Sequence, residues 1–242
     1  MPLFVSPCVL SLIVGCNFYF LRQFLCMNRF RSRLGFLAAL SLAAVGVPLA
    51  ALQGANGLNG ANGVNGANGP ETRILVSVTD QKMVLLQDGE EVSRFPVSTS
   101  KFGLGDRWGS YATPLGTMQV AQKIGDHARE GAVFKERRLT GEVLPPNAPG
   151  RDPIVTRILW LRGLEQQNAN CFKRCIYIHG TPEERLLGAP VSWGCIRMRS
   201  RDVVRVFETV DVGTKVEVFQ KPLKVLLKEY AATVRLARGK GV

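Results

Sequence analysis

Apolar and polar positions alternate in short runs from residue 73 onward. Residues 73–79 (RILVSVT) and 83–87 (MVLLQ) carry the β-branched, two-residue rhythm of half-buried strands, and a short polar turn joins them. Asp88-Gly89 marks a second turn, and residues 92–98 read as a third strand. Residues 154–161, 175–179 (CIYIH) and 215–219 (KVEVF) are further β-rich runs. Only residues 201–210 have helical spacing inside this body; residues 222–238 have it beyond. Residues 125–153 are rich in Gly, Pro and charge and are expected to form one long loop, a length that usually serves as a lid or substrate wall. The predicted fold is mainly β, a sandwich or barrel with one or two short helices.

The first 70 residues are different. Residues 34–52 run for 19 positions without a charge, behind the basic segment that starts at Met27, and Ala50 and Ala51 are small enough for a signal peptidase. Residues 1–53 are therefore expected to be a signal peptide or membrane anchor, with Met27 a candidate true start. Residues 3–26 are also apolar but are interrupted by Pro7, Asn17 and Arg22. Residues 54–70 repeat Xaa-Asn-Gly. Glycine recurs at the collagen period, but there are too few triplets and no internal proline for a triple helix, so a flexible tether is expected. Residues 71–219 form the domain, and residues 220–242 a basic, helical tail. The expected location is the periplasm or cell envelope.

Composition narrows the function. Of 242 residues 46% are apolar and 21% charged, so the chain is neither wholly disordered nor a polytopic membrane protein. The net charge of +12 is concentrated at the ends: residues 1–53 hold four basic residues and no acid, and residues 220–242 six and one. A basic tail suits an anionic surface or polymer. No zinc finger, basic zipper or aromatic RNA-binding signature accompanies it, so nucleic acid is not an expected partner.

The chemistry concentrates at residues 176–199, I-Y-I-H-G-T-P-E-E-R-L-L-G-A-P-V-S-W-G-C-I-R-M-R. His179 ends a β-type run, and Cys195 follows 16 residues later after a loop bearing Gly180, Pro182, Gly188 and Pro190. A free thiol, with a pKa of about 8.5, is mostly protonated near neutrality, and an imidazole beside it can take the proton. The thiolate attacks a carbonyl, and backbone N–H groups of Gly194 and Cys195 are expected to receive the oxyanion. No acid stands at an obvious spacing to orient His179, so the Gly180 carbonyl is the candidate.

These residues resemble the signature of the L,D-transpeptidase catalytic domain (the YkuD-like family): H-G-T, then G-x-P-x-S-x-G-C-I-R-M. Ala112–Met118 resembles the family's TPxG segment, and residues 131–135 followed by 140–142 look like envelope members. The resemblance covers residues 73–219. It implies a β-rich fold and a cysteine acyltransferase acting on peptidoglycan stem peptides. The thiol would attack the bond between the diamino acid and D-Ala, release D-Ala, and pass the acyl group to an amine: a second stem, or a lipoprotein lysine. Carried over residue by residue, Cys195 is the nucleophile, His179 the general base, and Gly194 and Cys195 the oxyanion hole. Ser192, Trp193 and Arg197 line the substrate site. Arg197 either grips a stem carboxylate or braces the loop. Trp193 stands where many members have a second histidine, and it is expected to act as an apolar wall against water.

Rival readings use the same residues. An L,D-carboxypeptidase would hydrolyse the same bond, and a wall-binding module would keep the fold without the reaction. Cys171, Cys175, His179 and Cys195 are a nominal zinc set, but Cys175 and His179 on one strand would lie about 13 Å apart, too far for one ion. No metal or organic cofactor is expected, because the thiol supplies the covalent chemistry. A Cys171–Cys175 disulfide remains open, and His127 reads as an exposed loop histidine.

Overall fold

The computed structural model describes residues 70–239. The expected signal or anchor and most of the Asn-Gly tether lie outside the described residues. Ten strands form one hydrogen-bonded mixed sheet: β1 (Thr72–Ser77), β2 (Lys82–Gln87), β3 (Glu90–Pro96), β4 (Gly116–Ile124), β5 (Ala132–Lys135), β6 (Arg138–Val143), β7 (Ile154–Gly163), β8 (Tyr177–Gly180), β9 (Ile196–Met198) and β10 (Lys215–Phe219). Two helices accompany them, α1 (Ser200–Thr209) and α2 (Leu223–Gly239). The fold is mainly β, and no helix among the described residues is long and apolar enough to cross a membrane.

The strand order is β3-β2-β1-β10-β4-β7-β5-β6, with β8 joining β7 and β9 joining β8. β1 and β10 run parallel, with Ile74 opposite Val216. β8 and β9 are the other parallel pair, with His179 opposite Arg197. Alternation along this second pair assigns its two faces. Ile178, Ile196 and Met198 enter the main core with Val203, Val206 and Phe207 of α1. Tyr177 and Cys195 belong to a separate cluster with Phe134, Ile158 and Trp160, and the period of two puts His179 and Arg197 on that same side.

One expectation is corrected. Residues 125–153 are not one long loop: β5 and β6 form an antiparallel hairpin there, and Val133 and Phe134 of β5 pair with the start of β7. β6 is exposed along its whole length, so it shows no alternation to read. The tail helix packs on the domain. Leu223 joins Leu75, Val84 and Leu86, with Leu227 and Tyr230 against them, on the sheet face that α1 leaves open. Asp80 Oδ2 accepts the Leu223 N–H at 2.7 Å and so satisfies one of the free donors at the helix start.

Candidate active site

β7 seats the site. It departs from regular register between Val155 and Ile158, where Thr156 holds a positive φ of 73°. That bulge brings the Val155 carbonyl against Gly180, where a Cβ would lie 2.7 Å from the oxygen. Only glycine fits there, and the tight approach fixes the Gly180 peptide. The Gly180 carbonyl oxygen in turn lies 2.8 Å from His179 Nδ1. A carbonyl only accepts, so Nδ1 carries the hydrogen, and in the neutral ring Nε2 is left with the lone pair. His179 is buried, and desolvation holds its pKa down to about 4, with the Arg197 charge lowering it further. The imidazole is neutral at pH 7.

Cys195 sits one residue before β9, beside Tyr177 in the parallel register, and thus two strand positions from His179 on one face. Strand spacing and rise put the two Cβ atoms roughly 8 Å apart. The Tyr177 N–H donates to Cys195 Sγ at 3.4 Å, and Sγ lies 3.4 Å from the Cys175 carbonyl oxygen, which takes the thiol hydrogen. Burial pushes the Cys195 thiol up to about 11. The resting pair is a neutral thiol and a neutral imidazole.

The loop before Cys195 is held at several points. Ser192 is buried; its hydroxyl donates to the Cys195 carbonyl at 2.6 Å and accepts the Gly194 N–H at 3.2 Å. The Cys195 N–H meets no acceptor among the described residues, whereas the Gly194 N–H is engaged. Gly194 has φ 115°, and a Cβ there would meet the Ala112 and Tyr111 carbonyls at 3.2 and 3.3 Å. Thr113, in the segment that resembles TPxG, donates its hydroxyl to the Gly194 carbonyl at 3.0 Å. Trp193 is 44% exposed and clusters with Phe102 and Tyr111 at centroid distances of 4.8 and 5.3 Å.

Arg197 is occupied. Its Nη2 lies 2.5 Å from Asp152 Oδ2, and its Nη1 lies 3.9 Å from Glu183 Oε2. Thr181 gives its hydroxyl to the other Asp152 oxygen at 2.5 Å. Of the two roles open to Arg197, this geometry suits the brace. Asp152, 45 positions from Arg197, was not marked by the sequence. Its only local signal is an acid before Pro153 in an otherwise irregular stretch.

The remaining candidates lie apart. Cys171 is a buried thiol, its Sγ 3.4 Å from Met118 Sδ in the main core, while Cys175 Sγ faces Arg137 Nη1 at 3.8 Å; the Cys171–Cys175 bridge is not formed. His127 is exposed and pairs with Asp126 at 3.2 Å. Among the described residues no group of three or more His, Cys, Asp or Glu could hold a metal ion.

A profile of the L,D-transpeptidase catalytic domain family (YkuD) matches residues 71–218. The putative L,D-transpeptidase YqjB of Bacillus subtilis (strain 168) is 54% identical over 143 residues, which is 59% of this chain and 68% of that protein. The probable L,D-transpeptidase YbiS of Escherichia coli (strain K12) is 36% identical over 91 residues, 37% of this chain; the match spans about a quarter (26%) of that relative's length. Among solved structures, an L,D-transpeptidase from Mycobacterium smegmatis aligns with a TM-score of 0.41 at 21% identity, over 62% of this chain and 59% of that one.

Proposed function

The chain belongs to the L,D-transpeptidase catalytic domain family, and from that membership we propose that it is a peptidoglycan L,D-transpeptidase with Cys195 as nucleophile and His179 as general base. One observation carries the reading: Cys195 and His179 share a face of the β8–β9 pair, and the Gly180 carbonyl holds the Nδ1 hydrogen so that Nε2 is the basic nitrogen. In the reaction the thiol turns from the Cys175 carbonyl to His179 Nε2 and gives up its proton as sulfur bonds to the diamino acid carbonyl. The Cys195 N–H receives the oxyanion, and the Gly194 N–H joins it on leaving Ser192. The C–N bond breaks, the imidazolium returns the proton to the D-Ala amine, and a thioester remains. An acceptor amine then attacks; His179 takes its proton and passes it to Sγ as the C–S bond breaks.

Neutral partners suit this sequence. The imidazole is free to accept at pH 7, and ionisation is confined to the moment of attack. Arg197, neutralised by Asp152, braces β9 and the start of β7 rather than gripping the stem. The substrate-lining roles of Ser192 and Trp193 belong to the same reading, as does export through residues 1–53, whose basic start and uncharged run support it.

The test is intact mass spectrometry of the chain mixed with a disaccharide tetrapeptide, beside Cys195→Ala. The expected result is an adduct equal to the stem minus D-Ala on the wild type alone. D-Ala release or adduct formation by the alanine variant would defeat the mechanism. Adding a second stem then shows whether an amine or water resolves the thioester.

A further inference from the structure

We propose that Lys101 reads the carboxylate of the residue that leaves the donor stem, and that Trp193 is the positioning residue that holds it; this rests on the reaction proposed above. Lys101 lies in the segment that cradles the nucleophile loop. Its backbone N–H donates to the Ser192 carbonyl at 3.1 Å, and the Ser192 N–H donates to Thr99 at 2.9 Å. The lysine is thereby tied, through Ser192, to the peptide that carries Cys195.

Its ammonium is placed by aromatic faces. Lys101 Nζ lies 4.6 Å from the centroid of the Trp193 ring and 5.2 Å from that of Phe102. The ring quadrupoles attract the cation without neutralising it. Among the described residues no carboxylate lies within ion-pair distance of Lys101, and the side chain faces water. The nearby guanidinium groups differ. Arg197 is bound to Asp152, and Arg174 is bound to Asp106 at 2.8 Å; all four side chains are largely buried. Those two cations are spent on the protein's own carboxylates, whereas Lys101 is exposed beside Trp193, which stands two residues before Cys195.

A donor stem supplies the complement. The leaving residue bears a carboxylate one residue beyond the scissile carbonyl, so a stem seated on Cys195 brings that anion to the nucleophile loop. A lysine already held over two rings loses less freedom on meeting it than an unrestrained one would. The exposed position limits the gain to about tenfold in affinity, the low end for a hydrogen bond to a charged group.

The test uses the full chain carrying Cys195→Ala, which binds without turnover, titrated by calorimetry with a disaccharide tetrapeptide ending in a free carboxylate or in a carboxamide. The acid should bind about tenfold tighter than the amide. Adding Lys101→Met should erase that preference by weakening the acid alone, Lys101→Arg should retain it, and Trp193→Leu should lose part of it. Equal affinity for acid and amide, an equal loss on both with Lys101→Met, or binding of neither overturns the proposal. Acylation of the wild type is scored separately: its absence beside an intact Lys101-dependent preference would defeat the reaction and leave the carboxylate reading standing.

Discussion

Arg197 Nη2 stands 2.5 Å from Asp152 Oδ2, with the two side chains only 9% and 14% exposed. Removing one member of such a pair strands the other charge in a poorly solvated place, which costs about 3–5 kcal/mol. Asp152→Ala should therefore lower Tm by about ten degrees. It should also depress the His179 pKa further, because Asp152 now offsets part of the Arg197 field. Asp152→Asn, which keeps an acceptor for Thr181, should lose less. Thermal melts of the two variants check the order.

Stability should fall on both sides of neutrality. On unfolding, His179 regains a pKa near 6.5 from about 4, so the unfolded chain binds a proton that the folded chain refuses. That contribution is present above 6.5 and is lost as pH falls toward 4. Cys195 acts in the opposite limb: its folded value of about 11 exceeds that of a free thiol, so stability is lost as pH rises through that window. His179→Gln should flatten the acid limb and leave the alkaline one, as denaturant midpoints between pH 4 and 11 would show.

The resting thiol should be unreactive for its type. With burial opposing the thiolate, alkylation of Cys195 by iodoacetamide at pH 7 should be slow and should rise toward about pH 11. A fast reaction at neutral pH would mean that a thiolate–imidazolium pair already exists. Peptide mapping of the labelled chain distinguishes Cys195 from Cys171 and Cys175.

Gly180→Ala should damage function more than its size suggests. The added Cβ would press on the Val155 carbonyl at 2.7 Å, and the peptide that must move carries the oxygen bound to His179 Nδ1. We expect a fall in kcat for acylation of about two orders of magnitude, the low end of general-base loss, with Cys195 still titratable by thiol reagents.

Leu223→Ala tests whether the tail helix belongs to the domain. Leu223 is 3% exposed among Leu75, Val84 and Leu86. Truncation should cost about 2–4 kcal/mol. An unchanged urea midpoint would show that α2 is not needed to cover that face.

The site was legible where it is local. His179, the turning loop and Cys195 fall within one stretch, and strand periodicity alone places Tyr177 and His179 on one face. What escaped depends on distant partners. Asp152 meets Arg197 across 45 positions, and Lys101 meets Trp193 across 92; neither residue carries a local mark of its partner. The β5–β6 hairpin escaped for another reason. Its outer strand is exposed on both faces, and its turn uses Glu136 and Arg137 at positive φ, where a Gly or Asn would have announced it.

The parallel pairing of β1 with β10 sets an order of events. In the sheet, the ladder of β3, β2 and β1 continues to the other strands through β10, the last strand to be made among the described residues. Until Phe219 has been synthesised, β1 and β4 each keep an open edge, and the early meander meets the later strands only through the isolated bridges of Ser98 to Arg197 and Ser100 to Ser192. The chain thus completes its sheet late and through contacts that are remote in sequence, which slows folding. A message cut short before residue 215 leaves two unpaired edges and a product prone to aggregate.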